Sequence, residues 1–132
     1  MTDIINIKSN KRIEMLDVTG HINSLVIKSE ILNGICIIHI PHTTAAITIN
    51  ENADIATSKD IINKLSSMIP YGEGYSHMEG NSDAHIKTSL FGPSLTLIIE
   101  NGRLLLGTWQ SVFFCEFDGP RNRKIFIKLI SG

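Results

Sequence analysis

The chain predicts an α+β fold, a mainly antiparallel β-sandwich with two or three helices, and three observations carry that expectation. Short alternating or doubly apolar runs recur between turn signals such as Asn101-Gly102 and Gly119-Pro120. The amphipathic helical stretches are inserted between pairs of strands that return on themselves, the pattern of an α+β chain. Finally, 132 residues with 42% hydrophobic content suffice for one domain, residues 1–132, that buries a core without metal or disulfide staples. No internal repeat, linker or low-complexity segment divides it.

Residues 2–9 and 13–17 read as two strands joined by an Asn10-Lys11 turn, with Ile5 and Ile7 alternating against Asn6 and Lys8. Thr19 then caps a helix of about thirteen residues, whose stripe is Ile22, Leu25, Val26 and Leu32, and Asn33-Gly34 ends it. His21 falls off that stripe and reads as exposed. Residues 35–41 are apolar on both faces, as a central strand requires. His39 near its end suits either a hydrogen-bonded core histidine or a functional one.

Pro41 breaks the pairing before a second strand over residues 45–51. Ala45, Ile47 and Ile49 face one way there, while His42, Thr44, Thr48 and Asn50 share a polar face expected to line a cleft. Asp54 caps the next helix, which turns Ile55, Ile61, Ile62, Leu65, Met68 and Ile69 to the core until Pro70 to Gly74 end it.

Residues 76–85 pack two histidines and two carboxylates around Gly80 with few core residues. Ser82 suits a helix cap and Asp83 the positive end of the helix dipole. Ile86 and Leu90 are then expected inside, and Gly92-Pro93 stops the helix. The bend at Gly80 can fold His77 back towards His85 in the first turn, and two imidazoles brought together ask for a third partner. A strand over residues 94–99, a Glu100-Asn101-Gly102 hairpin turn, a long returning strand over 103–117 and a last strand over 124–130 complete the chain. Thr108, Gln110 and Glu116 share one face of the returning strand, and Gly107 suggests a bulge or a close backbone approach. Trp109, the single tryptophan, suits core or subunit-interface packing.

Twelve basic and thirteen acidic side chains leave a net charge of −1, so no large electrostatic footprint for nucleic acid or an anionic membrane surface is expected. No apolar run approaches the ~20 residues of a membrane span, and the first residues lack the features of a signal peptide. Cys36 and Cys115 sit in apolar runs and read as buried free thiols, which suits a reducing compartment. A cytoplasmic protein is expected. Arg121 and Arg123, two apart beyond Gly119-Pro120, can share the phosphate end of a ligand through bidentate bonds, or can form ion pairs with Glu116 and Asp118.

Three spaced blocks carry a resemblance over nearly the whole chain: His42-Thr43-Thr44-Ala45 with Asn50-Glu51-Asn52-Ala53-Asp54, then residues 77–90, then Gly107-Thr108-Trp109-Gln110 with Glu116 and residues 121–123. Together they resemble the YjbQ family, whose members are labelled secondary thiamine-phosphate synthases. The resemblance implies a jelly-roll-like sandwich assembled as a homotrimer, weak thiamine-phosphate synthase activity, and a cluster of His42, His77 and His85. Three neutral imidazoles can bind a divalent metal such as zinc at roughly 2.0–2.1 Å with a fourth position open, or can hold a phosphate with no metal. In the metal case Glu51 or Asp54 serves as base or orients a ligand. Asn81, Gln110, Glu116, Arg121 and Arg123 are the expected ligand-binding residues. The other reading is a non-catalytic protein that binds a metal or a phosphorylated metabolite.

Overall fold

The computed structural model describes residues 1–132. In chain order the elements are β1 (Asp3–Lys8), β2 (Glu14–Asp17), α1 (Thr19–Ser29), β3 (Gly34–His39), β4 (Ala45–Glu51), α2 (Ile55–Met68), α3 (Ser82–Phe91), β5 (Ser94–Glu100), β6 (Arg103–Leu104), β7 (Gln110–Glu116) and β8 (Asn122–Ser131). Five strands form one sheet in the order β1-β8-β3-β5-β6, and three form a second, β2-β7-β4. Every pairing is antiparallel, so the α+β sandwich expected from the sequence is the fold observed.

The chain changes sheets wherever its strand pattern is interrupted, and two expectations are corrected by this. β1 and β2 do not pair with each other: β1 lies against β8 and β2 against β7, because residues 9–13 cross from one sheet to the other. The run 103–117 is not one strand but β6 and β7 in different sheets. The break is a turn at Gly107, whose N–H donates to Gln110 Oε1 at 2.8 Å while its carbonyl accepts from Gln110 N–H at 3.1 Å. Pro41 marks a third crossing, from β3 to β4. The Asn101-Gly102 turn joins β5 to β6 as expected, both residues at positive φ (53° and 76°), which the primed hairpin turn needs.

Between the sheets lies the main core, with Ile38, Ile125 and Ile127 from one layer, Ile47, Val112 and Phe114 from the other, and Ile22 and Val26 from α1. Thr19 is the first residue of α1 rather than its cap. Its N–H donates to Asp17 Oδ1 at 2.9 Å, and its hydroxyl accepts from Val112 N–H at 2.8 Å, which pins the helix to β7. The helix ends at Ser29, with Glu30 at φ 63°, so Leu32 lies beyond it and is exposed.

A second cluster covers the other face of the three-stranded sheet, where Ala46, Phe113, Cys115 and Phe117 meet Ala84 of α3. This reverses the expected face of α3. Ile86 and Leu90 are exposed, while Asp83, Ala84, Lys87 and Thr88 are buried, and Ser82 caps nothing. The small Ala84 admits close approach to Ala46, and the buried charges are tolerable because they pair: Asp83 accepts from Lys87 Nζ at 2.9 Å and from both terminal nitrogens of Arg12 at 2.8 and 3.1 Å. Burial alone would raise the Asp83 carboxyl; Arg12 and Lys87 outweigh it and hold it below the usual carboxylate range. Arg12 also stacks on Tyr71, 4.1 Å from the ring centre, tying the segment before α3 to the body of the fold.

Asp54 caps α2 as expected, its Oδ1 accepting from Ala56 N–H at 2.9 Å. The expected apolar face of this helix is mostly unburied: Leu65 packs on the second cluster and Ile69 is buried beyond the helix end, but Ile55 and Met68 face solvent. The outward face of the five-stranded sheet likewise leaves Ile4, Ile98 and Ile130 exposed by 52%, 56% and 41%. No helix is long and apolar enough to cross a membrane. Both cysteines are free and buried, and burial pushes the Cys36 thiol up to about 11.

Candidate functional site

At one end of the sandwich the inward-facing residues turn from apolar to charged. Along β7, Val112 and Phe114 give way to Glu116; along β8, Ile127 and Ile125 give way to Arg123. Both charged side chains are buried, and they pair twice, Nε to Oε1 at 2.8 Å and Nη2 to Oε2 at 2.5 Å. Arg123 Nη2 also donates to Thr44 Oγ1 at 2.9 Å, and Glu116 accepts from the Ser9 hydroxyl at 2.6 Å and from Asp118 N–H at 3.1 Å. Burial alone would push the Glu116 carboxyl up; Arg123, Ser9 and the Asp118 amide outweigh it and hold it below the ordinary glutamate value.

Arg123 also lines a pocket of about 400 Å³ whose eleven lining residues include none that is hydrophobic. Three segments build it. Pro41 to Thr44, the crossing from β3 to β4, supplies His42; the loop before α3 and its first turn supply His77, Glu79, Asn81 and His85; and the crossing from β7 to β8 supplies Asp118 and Arg121. Gly119 lets the last of these lie close: a Cβ there would stand 2.3 Å from the Lys11 carbonyl oxygen and 2.7 Å from Ser9 Oγ. Asp118 Oδ2 accepts from Asn81 Nδ2 at 2.8 Å and from Arg121 Nη2 at 3.0 Å, so one carboxylate links two of the three segments.

His77 and His85 meet edge to face, ring centres 5.1 Å apart at 82°, as the bend at Gly80 (φ 77°) allows. His42 lines the same pocket, so the three expected imidazoles do come together. They do so without forming a metal-ligand set. Lys124 N–H donates to His42 Nε2 at 2.9 Å, which occupies that lone pair and assigns the proton of the neutral ring to Nδ1. Burial, with Arg123 acting the same way, holds the His42 imidazole below its ordinary value, so the neutral form persists. No three His, Cys, Asp or Glu side chains in the structure converge on a point that could hold an ion. With the Nε2 lone pair of His42 occupied, the three rings are not arranged as a zinc-ligand set in this structure.

Asn81, Arg121 and Arg123 stand in the pocket, as expected. The two arginines adopt the ion pairs foreseen as their competing role, Arg121 with Asp118 and Arg123 with Glu116. Neither places its Nη1 on a protein acceptor in these pairs, which leaves that nitrogen of each for a ligand. Glu116 lies beneath Arg123 rather than on the wall. Glu51, Asp54 and Gln110 are elsewhere: Glu51 faces Gln110 across β4 and β7, six residues from the Ala45–Glu116 pair, a separation of about 20 Å along the strands. Glu51 accepts from the Thr57 hydroxyl at 2.7 Å, Asp54 caps α2, and Gln110 holds the Gly107 turn. Trp109 is 63% exposed beside them rather than in this chain's core. His39 is satisfied by Ser94 Oγ at 2.6 Å on the outer sheet face, and His21 is exposed.

Sequence reasoning missed Ser9, which sits 107 residues from the carboxylate it serves and has no local signature. It also missed Arg12 and Lys87, the partners of Asp83, which no local pattern singles out. Glu79 was in view only as part of the histidine-rich loop. One atom stands out in the pocket wall: Asn81 Oδ1 is buried and accepts no hydrogen bond. An unpaired buried acceptor costs about 1–3 kcal/mol.

The model of the UPF0047 protein YjbQ-like family matches residues 3–132. UPF0047 protein MJ1081 of Methanocaldococcus jannaschii is 56% identical over 94% of this chain and 90% of its own length. UPF0047 protein YugU of Bacillus subtilis is 47% identical over 98% of this chain and 99% of its own. Among solved structures, a YjbQ/UPF0047 family protein of Clostridium acetobutylicum superimposes with a TM-score of 0.95 at 47% identity, over 97% of this chain and 99% of that one. A protein of unknown function from Sulfolobus solfataricus does so with 0.95 at 32% identity, over 100% and 97%. The chain belongs to the YjbQ-like UPF0047 family.

Proposed function

We propose that the pocket binds a small phosphorylated ligand and that the His77–His85 pair moves a proton there. The observation that carries this reading is a mainly polar pocket in which three imidazoles stand with two arginines that each keep one terminal nitrogen free. Arg121 and Arg123 suit phosphoryl oxygens, since a charge-assisted bond from a guanidinium contributes about 1.5–3 kcal/mol. His42, neutral and protonated at Nδ1, serves as a fixed donor rather than a base. The exposed His77 and the half-buried His85 bring two imidazoles side by side in the pocket, which suits protonation of a leaving oxygen by one of them.

The weak thiamine-phosphate synthase activity that the resemblance implies fits this reading as a side reaction. In it the thiazole nitrogen forms a bond to the pyrimidine methylene carbon, the carbon–oxygen bond breaks, and pyrophosphate leaves with the electron pair. The arginines and an imidazolium suit the leaving pyrophosphate, but the pocket presents no apolar wall to either ring. The same reading takes the protein to assemble as a homotrimer, supported by the exposed isoleucines on the five-stranded sheet.

Titration calorimetry with inorganic pyrophosphate tests the phosphate role. Arg121→Ala and His77→Ala are expected to weaken binding by roughly ten- to a hundredfold. Absence of binding to the wild type at millimolar ligand, or equal affinity in all three proteins, would overturn it.

A further inference from the structure

Ligand pockets are lined mostly by apolar and aromatic side chains, with a few polar groups that fix orientation. Here the proportion is inverted: of eleven lining residues none is hydrophobic, so a flat heteroaromatic or alkyl body would be buried against charged and amide groups that lose water without gaining a partner. The pocket also mixes its signs. Beside the arginines and imidazoles it holds acceptors, and these differ in their state. Asp118 is taken by Asn81 and Arg121. Glu79 forms no ion pair with any cation of the chain, and Asn81 Oδ1 is buried with no donor. A bare phosphate placed among the cations would share the pocket with the unpaired Glu79 carboxylate, and it brings no donor of its own to Asn81 beyond an acidic hydroxyl.

We infer that the ligand of this pocket is a small phosphorylated polyol or amino alcohol, whose phosphoryl group meets Arg121 and Arg123 and whose hydroxyl or ammonium donors meet Asn81 Oδ1 and Glu79. The inference rests on the phosphate reading above and narrows it to one chemical class. The volume of about 400 Å³ suits such a molecule. Selectivity follows chiefly from the buried acceptor of Asn81, while the exposed Glu79 adds a charge preference. A site built to receive a donor rejects the analogue that lacks it much more strongly than an apolar pocket rejects a missing methylene, because the buried acceptor is then left dry and unpaired. Asn81 lines the pocket and its Oδ1 is the atom there left without a donor. Its amide nitrogen stays on Asp118, so the carbonyl orientation is set by that bond and not free to flip away.

Calorimetry with four probes decides the matter: glycerol 3-phosphate and ethanolamine phosphate carry donors, while methyl phosphate and phenyl phosphate do not. In the wild type, both donor-bearing esters are expected to bind about tenfold or more tighter than methyl phosphate, with phenyl phosphate no tighter than methyl. Asn81→Ala is expected to narrow the advantage of glycerol 3-phosphate, and Glu79→Ala that of ethanolamine phosphate; Glu79 is exposed at the rim, so its variant tests the idea even if the Asn81 variant folds poorly. Methyl or phenyl phosphate binding as tightly as the donor-bearing esters would overturn the inference and leave the phosphate reading standing. A preference that survives unchanged in Glu79→Ala and in a folded Asn81→Ala would overturn it too. If none of the probes binds, and pyrophosphate does not either, the phosphate reading itself falls and the inference with it.

Discussion

Arg123→Met removes the cation from a carboxylate that is fully buried, and the size of the effect follows from what remains around Glu116. Its Oε1 keeps the Ser9 hydroxyl and its Oε2 the Asp118 amide, but the two guanidinium bonds are lost in a place water does not reach. Breaking a buried ion pair from one side costs about 3–5 kcal/mol. For a chain of this length, that lowers the melting temperature by roughly 10–20 °C. The pH dependence supplies a sharper check. In the wild type the Glu116 carboxyl is held below its unfolded value, so its contribution is present above about 4.3 and is lost as pH falls through the folded value. In the variant burial is no longer outweighed and the carboxyl is raised, so the folded state prefers it neutral and its contribution fades as pH rises through the new value. The gap in melting temperature between the two proteins is therefore expected to widen from pH 4 to pH 7, as scanning calorimetry can follow. A second variant that replaces both partners, Arg123→Met with Glu116→Leu, should recover most of the loss, since it buries no lone charge. A single variant that melts within 2 °C of the wild type at pH 7, by this order-of-magnitude argument, would refute the reasoning.

His42→Asn keeps a donor near the Nδ1 position and cannot serve as a metal ligand in its place. It is expected to bind pyrophosphate within about threefold of the wild type while His42→Ala loses about tenfold, and a chelator should leave wild-type affinity unchanged; calorimetry in the presence and absence of chelator checks all three. Asp83→Asn leaves the buried Lys87 ammonium without its carboxylate and is expected to cost about 3–5 kcal/mol in urea unfolding, with the midpoint rather than the slope changing. Ile98→Lys places a charge in the exposed apolar row of the five-stranded sheet; sedimentation should show a smaller species than the wild type at micromolar concentration, and a wild type that is itself monomeric would remove the assembly reading.

The turn and cap signals were the most legible parts of the chain because they act over a few residues. Asn101-Gly102 and Asp54 sit where local chemistry puts them. Periodicity misled on α3, where Ile86 and Leu90 mark the apolar side yet face outward. The helix buries Asp83 and Lys87 because Arg12, 71 residues away from Asp83, completes their charge balance, and no window around the helix contains that information. The long run after Arg103 read as one strand because its two parts have the same residue types; only the Gly107–Gln110 turn separates them into different sheets. At the site, the three histidines were legible as a group suited to a metal or a phosphate, and the two arginines as suited to phosphate or to ion pairs. The distance between the two ends of β4 was not, so Glu51, Asp54 and Gln110 were joined to a site about 20 Å away. Trp109 and its exposed surroundings belong to that far end.

Glu116 and Arg123 belong to different layers, one to the three-stranded sheet and one to the five-stranded sheet, and their bond is the last inward contact before the pocket. It works as a clasp at the seam of the sandwich. On the phosphate reading, a ligand that draws on the free Nη1 of Arg123 would load that clasp, which joins both sheets. The backbone amides that close the seam, Ser9 N–H to the Arg121 carbonyl at 3.0 Å and Phe117 N–H to the Thr44 carbonyl at 3.1 Å, lie on either side of it. On the same reading, their rates of exchange with solvent are expected to fall when the pocket, which Arg121 and Thr44 line, is filled.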